Sequence, residues 1–137
     1  MTDNREAALP VVYVVDDEEA MQAALQTLLG LWGAPCRVFS SAEAVLAEYR
    51  AEWTGLLLVD LRMPGRDGLA LIRELHARGC RMPKLLMTGH EERESLRQAL
   101  AFGAIGVLEK PFEAALLKDF LQRYCPEVLI APPGGAT

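Results

Sequence analysis

Short apolar runs alternate along this chain with stretches in which apolar residues recur every three or four positions. Val11 to Val15 is short, largely β-branched and apolar throughout, the pattern of a strand buried on both faces. It stops abruptly at Asp16-Asp17-Glu18-Glu19. From there to Leu31, residues Met21, Leu25, Leu28 and Leu29 repeat at helical spacing, with Gly30 and Gly33 near the stop. Cys36 to Phe39 reads as a second strand. Ser40 or Ser41 offers a cap for a second helix with Val45, Leu46 and Tyr49 on its apolar side. Leu56 to Val59 is a third strand, ending at Asp60. The turn-rich segment Arg62-Met63-Pro64-Gly65-Arg66-Asp67-Gly68 leads from it into a helix predicted over Leu69 to Arg78, closed by Gly79 and Pro83. Lys84 to Met87 is a fourth strand ending in Thr88-Gly89. Glu91 to Phe102 reads as a fourth helix with acids in its first turn, where the helix dipole favours them. Ile105 to Leu108 is a fifth strand, and a fifth helix is predicted over about Glu113 to Tyr124.

Five strands alternating with five helices imply parallel β-α units joined by right-handed crossovers. The expected fold is α/β: a doubly wound, five-stranded parallel sheet of flavodoxin-like type, strand order 2-1-3-4-5. Its ligand crevice lies at the carboxyl ends of the strands, where the order switches between strands 1 and 3. Residues 1–9 are expected to be a flexible N-terminus, 10–125 the folded domain, and 126–137, rich in Pro, Gly and Ala, a loose tail.

Composition narrows the function. A length of 137 residues fits one domain, and 51% apolar residues supply a real core. With 14 basic against 19 acidic residues the net charge is −5, which argues against direct nucleic-acid binding by this chain. The cysteines Cys36, Cys80 and Cys125 are odd in number and widely spaced, so neither a disulfide framework nor a zinc site is expected. The first ten residues carry Asp3, Arg5 and Glu6 and no secretory apolar region, and no apolar run reaches the ~20 residues of a membrane helix. A cytoplasmic protein without membrane contact is the expectation.

The polar residues fall where the expected crevice would be. Asp16 and Asp17 follow strand 1, Asp60 ends strand 3, Thr88 ends strand 4 and Lys110 follows strand 5. Each alone has a plain reading: an Asp-Asp pair as a turn, Asp60 as a loop cap, Thr88 as a strand residue, Lys110 as a solvated charge. Together they converge on one edge of the sheet. Three close carboxylates repel unless a cation intervenes, and a small set of hard oxygen ligands suits Mg²⁺. A lysine and a hydroxyl nearby suit a transferring phosphoryl group, and an aspartate carboxylate can accept one.

The segments Val-Asp16-Asp17-Glu, Leu-Val-Asp60-Leu-Arg-Met-Pro-Gly-Arg-Asp-Gly68, Leu-Met-Thr88-Gly-His and Glu-Lys110-Pro111-Phe resemble the receiver domains of two-component response regulators, across Pro10 to Tyr124. The resemblance implies that Asp60 is the phospho-acceptor and that Asp16 and Asp17 hold Mg²⁺ with Asp60 and the backbone carbonyl of Arg62. It further implies that Thr88 and Lys110 contact the phosphoryl oxygens and that the Lys110-Pro111 bond is cis. The implied donor is a sensor histidine kinase or phosphotransfer protein. The implied output surface, and the face through which a second copy would dimerise, is helix 4, strand 5 and helix 5. Such a domain is not an enzyme in the ordinary sense, although it catalyses its own phosphotransfer and dephosphorylation. Arg62 and His90, each two residues past a site residue, either tune the lifetime of the phosphorylated state or are ordinary loop residues.

One position departs from the family pattern. An aromatic residue usually stands three places before the lysine, and here it is Val107, stiff and ringless. Phe102 beside it either exposes an apolar contact or fills the space the missing ring leaves. Two other functions fit less well. An Mg²⁺-dependent aspartyl-phosphate hydrolase needs a cap insertion and a general acid, but none is long enough and the residue two past Asp60 is Arg62. A flavodoxin-like electron carrier needs a hydroxyl- and glycine-rich phosphate loop after strand 1, where this chain has four acids.

Overall fold

Alternate residues of each strand go to opposite sides of the sheet, and that parity sorts the apolar residues into two cores. Val12, Val14, Leu56, Leu58, Leu85 and Met87 lie on one side, and Tyr13, Val15, Leu57, Val59 and Leu86 on the other. The computed structural model describes residues 9–89 and 93–129. Its strands are β1 (Pro10–Val15), β2 (Cys36–Phe39), β3 (Thr54–Asp60), β4 (Lys84–Thr88) and β5 (Ala104–Glu109). Its helices are α1 (Glu19–Leu31), α2 (Ala42–Glu48), α3 (Gly68–Ala77), α4 (Arg93–Ala101) and α5 (Ala114–Tyr124). The sheet order is β2-β1-β3-β4-β5 with every pairing parallel, as expected from the β-α alternation. Leu25 and Leu29 of α1 and Leu117 and Leu121 of α5 cover the even-numbered side of β1; α2, α3 and α4 cover the other. Among the described residues no helix is long and apolar enough to cross a membrane.

Local chemistry sets the helix starts. Ser41, not Ser40, caps α2, its side chain accepting from the Ala44 N–H at 3.0 Å, and Asp67 caps α3 by accepting from the Ala70 N–H at 2.9 Å. Gly106 on β5 leaves room for the Phe120 ring of α5. A Cβ built there would lie 2.6 Å from the ring tip, so any larger residue would have to displace the Phe120 side chain. At the amino-terminal pole of the sheet, Trp53 stacks on Tyr13 at 4.1 Å between centroids, with Tyr49 edge-on and the Arg37 guanidinium over the Trp53 ring. Lys84 is buried, its ammonium donating to the Met82 carbonyl at 3.1 Å.

Two expectations change. β3 begins at Thr54, ahead of the apolar run, because Gly55 lies against β1 at a positive φ that only glycine takes easily. Composition predicts a loose tail from Pro126 onward, yet Pro126–Leu129 form a 3-10 turn with Val128 buried in the α1–α5 core. The remainder of that tail, 130–137, lies outside the described residues. Val128→Ala should destabilise the domain by about 2 kcal/mol, the loss expected from a buried valine. Urea unfolding with an unchanged m-value checks this, and a shift near zero would return the turn to the tail.

Candidate functional site

Strand register brings the site together. Val15 pairs with Val59, so the next residues, Asp16 and Asp60, leave adjacent strand ends side by side. Thr88 pairs with Glu109, which puts Lys110 one step beyond it, and the Lys110 N–H donates to the Thr88 carbonyl at 2.8 Å. The Lys110-Pro111 peptide is cis. Asp60 and Thr88 are buried, Asp16 is fully enclosed and Asp17 is exposed.

One ammonium joins the acids. Lys110 Nζ lies 3.0 Å from Asp16 Oδ2, 3.2 Å from Asp60 Oδ2 and 3.7 Å from Glu18 Oε1. Asp16 Oδ1 accepts the Glu18 N–H at 2.9 Å, and Asp60 Oδ1 accepts the Arg62 N–H at 3.2 Å. Carboxylate oxygens of Asp16, Asp17 and Asp60 all come within 4.8 Å of one another. That donor set, hard, anionic and partly open to solvent, fits a small divalent cation. The Thr88 hydroxyl donates to the Gly89 carbonyl at 3.1 Å. The β3–α3 loop is drawn back to the strand by the Gly68 N–H on the Leu61 carbonyl at 3.1 Å. A Cβ at Gly68 would meet the Asp60 carbonyl at 2.3 Å, so this closure needs glycine.

Asp16, Asp17, Asp60, Thr88 and Lys110, the residues expected from sequence to converge, share one sheet edge. Arg62 adjoins them through its N–H. His90 lies outside the described residues. Glu18, which touches the ammonium, was not singled out; its place directly after the acid pair was the available signal. Phe102 packs against α3, its ring edge-on to His76 at 5.4 Å with the Arg73 guanidinium 5.7 Å away, and Val107 packs on the same core. The ring is thus partly buried against α3.

Electrostatics follow from enclosure. Burial pushes the Asp60 carboxyl above its ordinary value, while the Arg62 N–H and the Lys110 charge pull it back and Asp16 pushes it up again; the net direction is upward. Burial lowers the Lys110 ammonium, but the bond to Asp16 and the charge of Asp60 outweigh it and hold the lysine above its usual range. Because the folded-state pKa of Asp60 exceeds the unfolded one, its ionisation costs stability as pH rises through that interval. Asp60→Asn should therefore melt a few degrees higher at neutral pH, with the gain fading as pH falls through the raised Asp60 pKa and gone once pH is below the ordinary carboxylate range. Thermal melts across that range check the sign, and a lower melting temperature at neutral pH would refute it.

Comparison with known proteins identifies the family. The family model for the response regulator receiver domain matches residues 12–122. The C4-dicarboxylate transport transcriptional regulatory protein DctD of Rhizobium meliloti (strain 1021) is 38% identical over 117 residues, covering 85% of this chain and 25% of DctD. The transcriptional regulatory protein FixJ of the same organism is 33% identical over 120 residues, covering 88% of this chain and 59% of FixJ. This chain thus spans between a quarter and three fifths of those two relatives. Among solved structures, the response regulator StyR superposes with a TM-score of 0.81 at 34% identity, covering 87% of this chain and 60% of that one. With fold, site geometry and sequence in agreement, the chain belongs to the response regulator receiver domain family, a signalling domain.

Proposed function

We propose that Asp60 is the phospho-acceptor of this receiver and that Asp16 and Asp17, with Asp60 and the Arg62 carbonyl, form an Mg²⁺ site. The observation that carries the reading is the buried Asp60 carboxylate, 3.2 Å from Lys110 Nζ and grouped with two further acids at the carboxyl edge of the sheet. An Asp60 oxygen attacks the phosphorus of a phosphohistidine on a sensor kinase or phosphotransfer protein. The new P–O bond forms as the P–N bond breaks; the bonding pair returns to the ring nitrogen, and the imidazole leaves neutral with the proton its other nitrogen already holds. Lys110, already bonded to the Asp60 carboxylate, donates instead to a phosphoryl oxygen as charge moves outward. The Thr88 hydroxyl gives a second donor from the end of β4. Mg²⁺, when bound, supplies a hard cation that offsets the crowded negative charge. Hydrolysis of the acyl phosphate by water restores Asp60, and Arg62, two residues past it, is a candidate for tuning that rate.

The output surface in this reading is α4, β5 and α5, where Leu100 and Leu116 are each about half exposed, and a second copy of the chain is one partner for it. Named relatives are transcriptional regulatory proteins, and control of such an output is the proposed use of the switch. Three free cysteines fit a reducing, cytoplasmic setting.

Incubation with acetyl phosphate and Mg²⁺ should attach one phosphoryl group, and Asp60→Asn should abolish it. Label that persists in the variant and maps to Asp16 or Asp67 would overturn the assignment. Asp17→Ala should lose Mg²⁺ binding by calorimetry while melting no lower than the parent without metal, since removing one acid relieves repulsion among the rest. Undiminished Mg²⁺ affinity in that variant speaks against the metal site.

A further inference from the structure

We propose that Gln22 is a positioning residue that aims the Asp16-Asp17 pair into the cation site, an inference that rests on the phospho-acceptor reading above. Past Val15 the β1–β2 ladder continues by one bond, the Asp16 N–H donating to the Phe39 carbonyl at 3.0 Å. The Asp16 carbonyl is taken by a side chain: Gln22 Nε2 donates to it at 2.5 Å, and the same amide nitrogen donates to Ser40 Oγ at 3.0 Å. A carboxamide nitrogen carries two hydrogens, so both bonds form at once. The Asp16 carbonyl and the Asp17 N–H belong to a single planar peptide unit, so holding one end fixes the direction in which Asp17 departs.

Asp17 needs such help, because it is exposed, whereas Asp16 is enclosed and bonded through both carboxylate oxygens. Gln22 is suited to give it. Its own N–H donates to the Glu18 carbonyl at 3.0 Å, so its backbone is set within the start of α1 while its side chain reaches back over the loop. Ser40, at the end of β2, anchors the amide from a second loop. The amide is neutral: it resists the spreading of three mutually repelling acids without contributing a positive charge that would compete with a cation.

The test uses Gln22→Met, which keeps length and helix preference and deletes the donor. Calorimetric titration with Mg²⁺ alone should show its dissociation constant raised about fivefold, the loss expected for one such hydrogen bond. The half-saturating Mg²⁺ for acetyl phosphate labelling should rise in parallel, with the labelling rate at saturating Mg²⁺ within about twofold of the parent, as expected when only ground-state placement is lost. A merely structural glutamine would lower the melting temperature and leave the Mg²⁺ constant unmoved, and that result overturns the proposal. Ser40→Ala, which deletes only the anchor, should raise the constant by a smaller factor. If Gln22→Met does not fold, an unmoved constant in Ser40→Ala overturns the proposal by itself. Failure of the parent protein to bind Mg²⁺ or accept a phosphoryl group would instead remove the reading beneath it.

Discussion

A single ammonium group holds this site together. Asp16 is wholly enclosed and Asp60 nearly so, and two carboxylates side by side at the end of a sheet repel each other and lose their water. Lys110 offsets both at once, at 3.0 and 3.2 Å. Removing the ammonium would leave two desolvated carboxylates facing each other unpaired, which costs more than the pairing itself contributes. The arrangement therefore depends on β5 delivering its lysine across β4 to the β1–β3 edge. The Lys110 N–H on the Thr88 carbonyl fixes that delivery.

The rest of the fold serves this convergence. Three buried parallel strands end within one residue of their neighbours because of their registers: Val15 beside Val59, and Asp60 beside Met87. The polar residues that follow can be enclosed because helices cover both faces. They can also be reached, because the carboxyl edge is where the connections turn away from the sheet. Stability and chemistry then separate in space. The two leucine-rich cores carry the first, and one rim carries the second.

Much of this was legible in the chain. β-branched and leucine runs marked the strands, and a chemically apt residue ended four of them in order, which chance rarely arranges. Less legible were contacts that need three dimensions. Gln22 looks like any polar helix residue until α1 is folded back over β1. Val128 is a lone apolar residue in a Pro-, Gly- and Ala-rich stretch, and its burial depends on α5 ending beneath β1. Ser40 and Ser41 were equivalent on paper, and the geometry gave one the cap and the other the Gln22 amide. Phe102 stayed open between two roles because the sequence does not say how α4 lies against α3.

The placement of the two tryptophans has a consequence for spectroscopy. Trp53 precedes β3, at the far end of the strand from Asp60, a separation of about 20 Å at ordinary strand rise. Trp32 follows α1, which runs back from the site, so it too sits at the remote pole, beneath Lys118. Intrinsic fluorescence in this receiver therefore reports the stack on Tyr13 and the α1–α5 seam, and is largely blind to events at the carboxyl rim. A tryptophan signal that did follow phosphorylation would be reading a change carried through the sheet to its opposite end.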